Sequence, residues 1–504
     1  MGNAESLPYF LPELLLIAAL LAVLVVDLVA TARGRTAGEW PGTVALLGAA
    51  AALLWTTGLP GLGIRGLLGQ AGGTWLFGRM LVLDGFAVFF KLLLGLALLA
   101  VVWMSLGSRE VRGQPNEGEY FVLLLASGLA MFLMAAAGNL LMAYLALEFV
   151  SLTSYALTGF LPHDRRAGEA ALKYLIYGGV ASGAMIFGMS WLFGLTGTMD
   201  YAGIARGVAG LDPASRGALF VALVLVLVGF GYKVAAVPFH MWAPDVYTGA
   251  PIPVTAFLAV GSKAAGFAML LRFFHFGVTA TGPDAVLGAV PLVPLVAAIS
   301  FVTMTLGNLA ALSQQNMKRL LAYSSIAHAG YALLAVAVFA DAGVEAVLFY
   351  LAVYYLMNLG AFWVVMLIAN ATGREDVDAY RGLAWRAGGA FPAVALAVFL
   401  FSLAGLPPLA GFVGKFYVFA AGIQERLYWL VVAGLGNSVV ALYYYARVVK
   451  AMFLDAPAAG DPPLGFRFGE LSPLGVLSAG TLLLGIRFGW LLDQVAIASR
   501  LFAG

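Results

Sequence analysis

The sequence predicts an all-α polytopic membrane protein, and three observations carry that reading. The 504 residues are 62% hydrophobic and 10% charged, with a mean hydropathy of +0.96, whereas a soluble domain carries about 25% charged residues. Apolar stretches long enough to cross a bilayer recur along the whole chain. The segments between them are too short to fold as domains, which leaves catalysis on a soluble substrate no obvious seat. The net charge of +2 does not suggest a nucleic-acid partner. There is no cysteine, so disulfides and thiolate-ligated iron–sulfur clusters are excluded.

Hydropathy gives about 14 transmembrane helices, at roughly 20 residues each. An N-terminal three-helix segment, 1–118, holds spans at 8–30, 41–59 and 80–106. The first carries Glu5 and Glu13 and no basic leader, so Ala30-Thr31-Ala32 reads as part of an uncleaved helix rather than a signal-peptidase site. Met1-Gly2 with Ser6 fits a myristoylation pattern, but a chain with many spans needs no lipid anchor. Gly61-Leu62-Gly63-Ile64-Arg65-Gly66 matches a dinucleotide-binding pattern; no strand precedes it, and it is read as an interspan loop.

Spans at 119–137, 139–160, 170–195, 217–240 and 254–274 make a first five-helix unit, 119–275. Those at 286–307, 319–340, 345–370, 391–421 and 427–453 make a second, 286–453. A last span, 471–494, lies in a C-terminal segment, 454–504. Two spans are interrupted, at Pro238 and at Leu406-Pro407-Pro408, because proline removes a backbone hydrogen bond and clashes with the preceding turn. The interruptions fall at corresponding places five spans apart, the mark of an internal repeat of the kind transporters use, with broken helices lining a polar cavity or packed in protein.

Basic residues set the orientation. One group of loops carries Arg33, Arg35, Arg109, Arg112, Arg165, Arg166, Lys318, Arg319, Arg374, Arg381, Arg386, Lys450 and Arg467. The other carries Arg65, Arg79, Arg206, Arg216, Arg272, Arg426 and Arg500. The richer side is assigned to the cytoplasm, which puts both termini outside.

The chemistry is expected at ionisable groups inside these spans, where a central Lys or Asp costs roughly 2.5–3.5 kcal/mol. Lys233, Lys263 and Lys415 lie too deep to reach water easily. A desolvated ammonium can shuttle between charged and neutral forms, so they read as proton carriers, against the plainer reading of static ion pairs. Glu148 reads as a charge partner for one of these lysines, or as a hydrogen-bonded core carboxylate. At about 4 Å and an effective dielectric of roughly 20 such a pair attracts by about 4 kcal/mol, so changing its spacing changes a proton affinity. Lys173, beside Glu169, is either a carrier or an interfacial anchor. His328 is either a relay imidazole or an interhelical hydrogen bond, and His240 gates or caps its broken helix. His163 and His275 read as interfacial; no histidine pair at helical spacing supports haem. Glu13, Asp27, Asp84 and Lys91 read as structural or interfacial. Ser151, Thr153, Ser154, Tyr155, Ser182, Ser262, Asn308, Tyr323, Ser324 and Ser325 could order water between the charges, or simply pack.

The run VPFHMWAPDVYTGAPIPVTAFLAVGSKAAGF (Val237–Phe267) resembles a signature of the antiporter-like subunits of respiratory complex I, the proton-translocating NADH:quinone oxidoreductase. MKRLLAYSSIAHAGY (Met317–Tyr331) and LAGLPPLAGFVGKFYVF (Leu403–Phe419) resemble the same family. The similarity covers nearly the whole chain, most strongly 119–453, and is greatest to the subunit N branch. Position 415 is lysine where the subunit M branch has glutamate, and no long lateral helix follows the last span as in the subunit L branch.

The resemblance implies a proton-translocating membrane-arm subunit. Glu148 and Lys233 would form a modulating ion pair, with Lys263 central, Lys173 on the hydrophilic axis and Lys415 on the exit side. It further implies that this chain carries no cofactor, with NADH, FMN, iron–sulfur clusters and quinone handled by other subunits. The implied partners are antiporter-like subunit M and small membrane subunits, in a bacterial inner membrane. Thr248 stands where the family commonly has glutamate, which removes one loop charge. A cation/proton antiporter or membrane-bound hydrogenase subunit, which shares the core, is the alternative.

Overall fold

In the computed structural model the chain forms a packed array of long helices. Residues 1–33, 38–57, 73–279, 287, 290–457 and 463–500 are described. The glycine motif at 61–66, with Arg65, and Arg35 lie outside them.

The N-terminal helices are α1 (Leu11–Ala32), α2 (Trp40–Thr56) and, after a hairpin of β1 (Thr74–Leu76) and β2 (Leu81–Leu83), α3 (Gly85–Gly107). There follow α4 (Glu117–Ala136), α5 (Leu140–Thr158), α6 (Arg165–Thr196), α7 (Tyr201–Ala209), α8 (Arg216–Val234) and α9 (Trp242–Gly249). Next, α10 (Ile252–Phe257) runs through a π-turn at Leu258–Ser262 into α11 (Lys263–Gly277). Then come α12 (Leu292–Ala311), α13 (Met317–Val336), α14 (Asp341–Thr372), α15 (Ala390–Ala404), α16 (Ala410–Gln424) and α17 (Tyr428–Phe453). The chain closes with α18 (Phe468–Ile486) and α19 (Gly489–Arg500).

Local chemistry sets many of the ends. Asp84, Asn139, Asp164 and Asn316 accept a backbone N–H from the first turns of α3, α5, α6 and α13 at 2.7, 2.8, 2.8 and 3.0 Å, satisfying donors that a helix start leaves open. α6 and α14, each of 32 residues, both stop at a glycine with positive φ, Gly197 at 71° and Gly373 at 69°, where a side chain would be strained. The breaks near Pro238 and Pro407 follow left-handed residues at the ends of α8 and α15, Ala235 (φ 59°) and Gly405 (φ 90°).

The fourteen expected spans do not all reappear as membrane-length apolar helices. Eleven of the described helices are long and apolar enough to cross, or up to twelve if Val377–Trp385 and Ala390–Ala404 are one bent span. α2 has only 17 residues, and the expected span 391–421 is two 15-residue helices, α15 and α16, because the Leu406-Pro407-Pro408 run separates them. α13 carries Lys318 and Arg319 in its first turn, along with several hydroxyl residues.

Arg272 was placed in an outer loop by its sequence position. It lies instead inside α11, 1% exposed, with its guanidinium bonded to both Asp84 oxygens at 2.8 Å and to Ala135 O at 3.0 Å. Asp84 at the start of α3 compensates a charge that hydropathy windows could only assign to water. A second buried pair, Lys91–Glu13 at 2.6 Å, joins α3 to α1.

The loop ends sort onto two sides. On one, Glu110 accepts from Ile252 N at 2.8 Å, Lys318 donates to Ala250 O at 2.9 Å, and Asn316 bridges Asp376. On the other, the N-terminal amine donates to Trp75 O at 3.3 Å, Arg79 pairs with Asp200 at 3.3 Å, and Leu140 N bonds Met199 O at 3.0 Å.

Candidate functional site

The buried polar groups gather around α13. It packs closely on α12 because both present glycine at the crossing. A methyl on Gly307 would come within 2.6 Å of Ala327 N, and one on Gly330 within 2.5 Å of Met304 N. Its remaining faces meet α9, α14, α16 and α17. Three residues at successive three-residue steps, Ser325, His328 and Tyr331, lie near one another on this helix.

Lys263, 3% exposed, donates a short hydrogen bond to Ser325 Oγ, and its Nζ lies 5.9 Å from the Tyr247 ring centre. The Tyr247 hydroxyl is 3.4 Å from the same Ser325 oxygen. His328 Nδ1 meets Tyr350 OH at 2.6 Å, and Nε2 meets Tyr445 OH at 3.4 Å. Tyr445 in turn meets Ser324 at 2.5 Å. The imidazole lies within electrostatic reach of both Lys263 and Lys415. Lys415, 4% exposed, donates to Ala404 O at 2.9 Å and Ser438 Oγ at 3.2 Å, with Nζ 4.6 Å over the Tyr331 ring. Ser438, Asn308, Asn437 and Tyr444 continue the polar cluster around Tyr331. The break before α16 serves this lysine directly: it leaves Ala404 O unpaired at the end of α15, and the ammonium takes it. Along α13, His328 therefore lies between Ser325, which holds Lys263, and Tyr331, which lies under Lys415.

Lys233, 1% exposed, sits one helix away. Its stem fills the notch at Gly266, three residues past Lys263, where a methyl would be 3.1 Å from the lysine Cγ. Its Nζ donates to Ser151 Oγ at 3.3 Å. Glu148 stands three residues before that serine on α5. No contact within 4 Å joins it to Lys233 among the described residues, so the expected direct pair is open. Lys233 is instead spent on Ser151, while Glu148 lies half-buried beside the exposed Leu145 and Leu152. Its Oε1 is buried with no hydrogen-bond partner.

Lys173 is unlike the other lysines. It is 39% exposed at the side chain and pairs with Glu169 and Asp245, each at 2.7 Å. Asp245 also pairs with Arg319 at 2.7 Å. Burial works to raise the Asp245 carboxyl, but Lys173 and Arg319 outweigh it and hold the group below the usual carboxylate range. His240 lies in the break between α8 and α9, 7% exposed, with Nδ1 buried and unpartnered. Among the described residues no three His, Asp or Glu side chains converge as a metal site.

Sequence reasoning missed Asp245, Tyr247, Tyr350, Asn437, Ser438 and Tyr445. Asp245 carried one signal, an acid just beyond a proline break. Tyrosine, serine and single asparagines leave a hydropathy window almost unchanged and gave none.

Residues 137–441, which hold all seven candidate residues, match the family described as NADH:quinone oxidoreductase/Mrp antiporter, transmembrane. The chain belongs to this NADH:quinone oxidoreductase/Mrp antiporter family. A relative in Anaeromyxobacter sp. (strain Fw109-5), named NADH-quinone oxidoreductase subunit N, is 48% identical, covering 100% of this chain and 98% of the relative. A chain of respiratory complex I from Thermus thermophilus with bound aureothin is 32% identical with a TM-score of 0.76, over 96% of this chain and 98% of that one. A chain of the Mrp complex from Dietzia sp. DQ12-45-1b has a TM-score of 0.82 at 22% identity, covering 98% and 97%, and shows the shared fold. The fold is thus common to chains of distinct assemblies.

Proposed function

We propose that the chain is a proton-translocating membrane-arm subunit of an NADH:quinone oxidoreductase. The observation that carries this reading is α13, which contacts Lys263 through Ser325 and Lys415 through Tyr331, with His328 between them. Redox energy arrives from partner subunits, which hold NADH, FMN, iron–sulfur clusters and quinone. Antiporter-like subunit M and small membrane subunits are the neighbours. Quinone reduction there shifts charge along the membrane arm and closes or opens the gap between Glu148 and Lys233. Opening the gap leaves the Lys233 ammonium uncompensated and favours loss of the Lys263 proton, which passes by His328 to Lys415 and leaves on the far side. Lys173, held by Asp245, orders the polar end of the path, and His240 controls the break beside it. Moving one proton against 100 mV requires about 2.3 kcal/mol, within the roughly 4 kcal/mol that a partly solvated pair at about 4 Å supplies.

The paired breaks and the two 32-residue helices, α6 and α14, support two five-helix repeats at 119–275 and 286–453, flanked by 1–118 and 454–504. The side gathering Arg109, Arg166, Lys318 and Arg374 around one cavity is assigned to the cytoplasm of a bacterial inner membrane. The N-terminus, tied to Trp75 on the opposite side, is then outside.

The test is proton pumping per NADH oxidised in the assembled complex. Lys233→Ala and Lys263→Ala are expected to lower it with assembly intact; wild-type pumping in both would refute the reading. The antiporter alternative predicts sodium- or potassium-dependent proton exchange without NADH.

A further inference from the structure

A polar cavity of about 550 Å³ opens at the basic side. None of the groups that line it belongs to the path above. Four basic and four acidic side chains face it. Glu375 pairs with Lys318 at 2.9 Å, Asp376 with Arg374 at 2.8 Å and Asp164 with Arg166 at 3.8 Å. Glu110, the fourth acid, has no cation within 4 Å among the described residues. It accepts the Ile252 N–H at 2.8 Å and otherwise faces the cavity. Burial pushes its carboxyl above the ordinary glutamate range, against the opposing pull of Lys318 and the Ile252 N–H.

Ile252 opens the helical run that carries Lys263. Lys263 follows beyond the π-turn, about 16 Å further along the axis at roughly 1.5 Å per residue. Thr248 and Gly249 line the cavity. The neighbouring Tyr247 turns inward, its hydroxyl on the serine that holds Lys263. Between the chamber wall at Thr248 and the central lysine, Tyr247 and Ser325 supply two hydroxyls, 3.4 Å apart.

We infer that this cavity is the chamber from which Lys263 is reloaded, and that Glu110 is the carboxylate that takes up the proton there. This rests on the proposed pumping function and names its uptake site. The step is a proton transfer only. A proton from water bonds to a Glu110 carboxylate oxygen, that O–H then breaks, and the free amine of Lys263 becomes the ammonium. Tyr247 and Ser325 each give up one proton and gain one, and end unchanged.

The absence of native cysteine in this chain makes it directly testable. In the assembled complex, Thr248→Cys is expected to react with a charged, membrane-impermeant maleimide only from the cytoplasmic side, read as a mass shift on this chain. Labelling is expected to lower the pumping of the Thr248→Cys complex, measured against the same variant left unlabelled. Glu110→Gln keeps an oxygen for the Ile252 N–H but cannot carry the proton. It is expected to lower protons moved per NADH as far as Lys263→Ala does, with Glu110→Asp restoring most of the loss. Wild-type pumping in Glu110→Gln, alongside impaired Lys263→Ala, overturns the uptake site and leaves the function standing. Wild-type pumping in both overturns the function itself. No labelling from the cytoplasmic side, or full pumping after labelling, overturns the chamber whether or not the Glu110 variants assemble.

Discussion

Lys263 and Lys415 meet different environments, and each tells what its substitution should do. Lys263 has one hydroxyl partner and a ring at 5.9 Å, whereas Lys415 has a carbonyl, a hydroxyl and a ring at 4.6 Å. Between them, His328→Ala removes the ring and leaves Tyr350 and Tyr445 without their shared partner. It should slow proton passage on the order of a hundredfold, measured as lost proton pumping with quinone reduction assayed in parallel. Arg272→Ala strands the Asp84 carboxylate in a buried site. It should cost about 3–5 kcal/mol, seen as a lower unfolding temperature or loss of assembled complex. The deep lysines were legible because a cation in an apolar run is expensive and visible in a linear sequence. Arg272 was not, because its compensation, Asp84, lies 188 residues away. The lack of a direct Glu148–Lys233 contact was illegible for a different reason: Ser151 and Glu148 are one turn apart, and a linear sequence does not say which of two such neighbours a lysine reaches.

At the scale of elements, the breaks were legible from proline and their consequences were not. The run 254–274 reads as a regular helix, yet it contains the π-turn Leu258–Ser262 immediately before Lys263. Such turns are rare and cluster at functional sites. Deleting one residue of this turn, Val260, should restore regular winding and remove the widened turn that presents Lys263 to Ser325. Pumping should then fail while the complex still assembles, which activity and assembly assays separate. The α12–α13 crossing gives an opposite expectation. Gly330→Val overfills a contact made against Met304 backbone and should cost about 1–3 kcal/mol, reducing the amount of folded subunit before any effect on turnover.

Across the whole molecule, the membrane class, the approximate helix order and the polar centre could be read from the sequence. The number of full-length spans could not, because half-helices and a polar helix such as α13 fail an apolar-window criterion while being buried among other helices. The assignment of sides predicts labelling of single cysteines. Asp378→Cys should react with impermeant reagent only from the cytoplasm, and Ala214→Cys only from outside. The reverse pattern would invert the direction of transport inferred from the basic loops.

α13 behaves as one rod. Ser325 and Tyr331 are about 9 Å apart along its axis, and neither can be displaced without the other. A push on either end therefore retunes two stations together, like a bar linking two valves. If Lys263 and Lys415 take up and discharge the proton as proposed, their coordinated timing requires no separate signal between them.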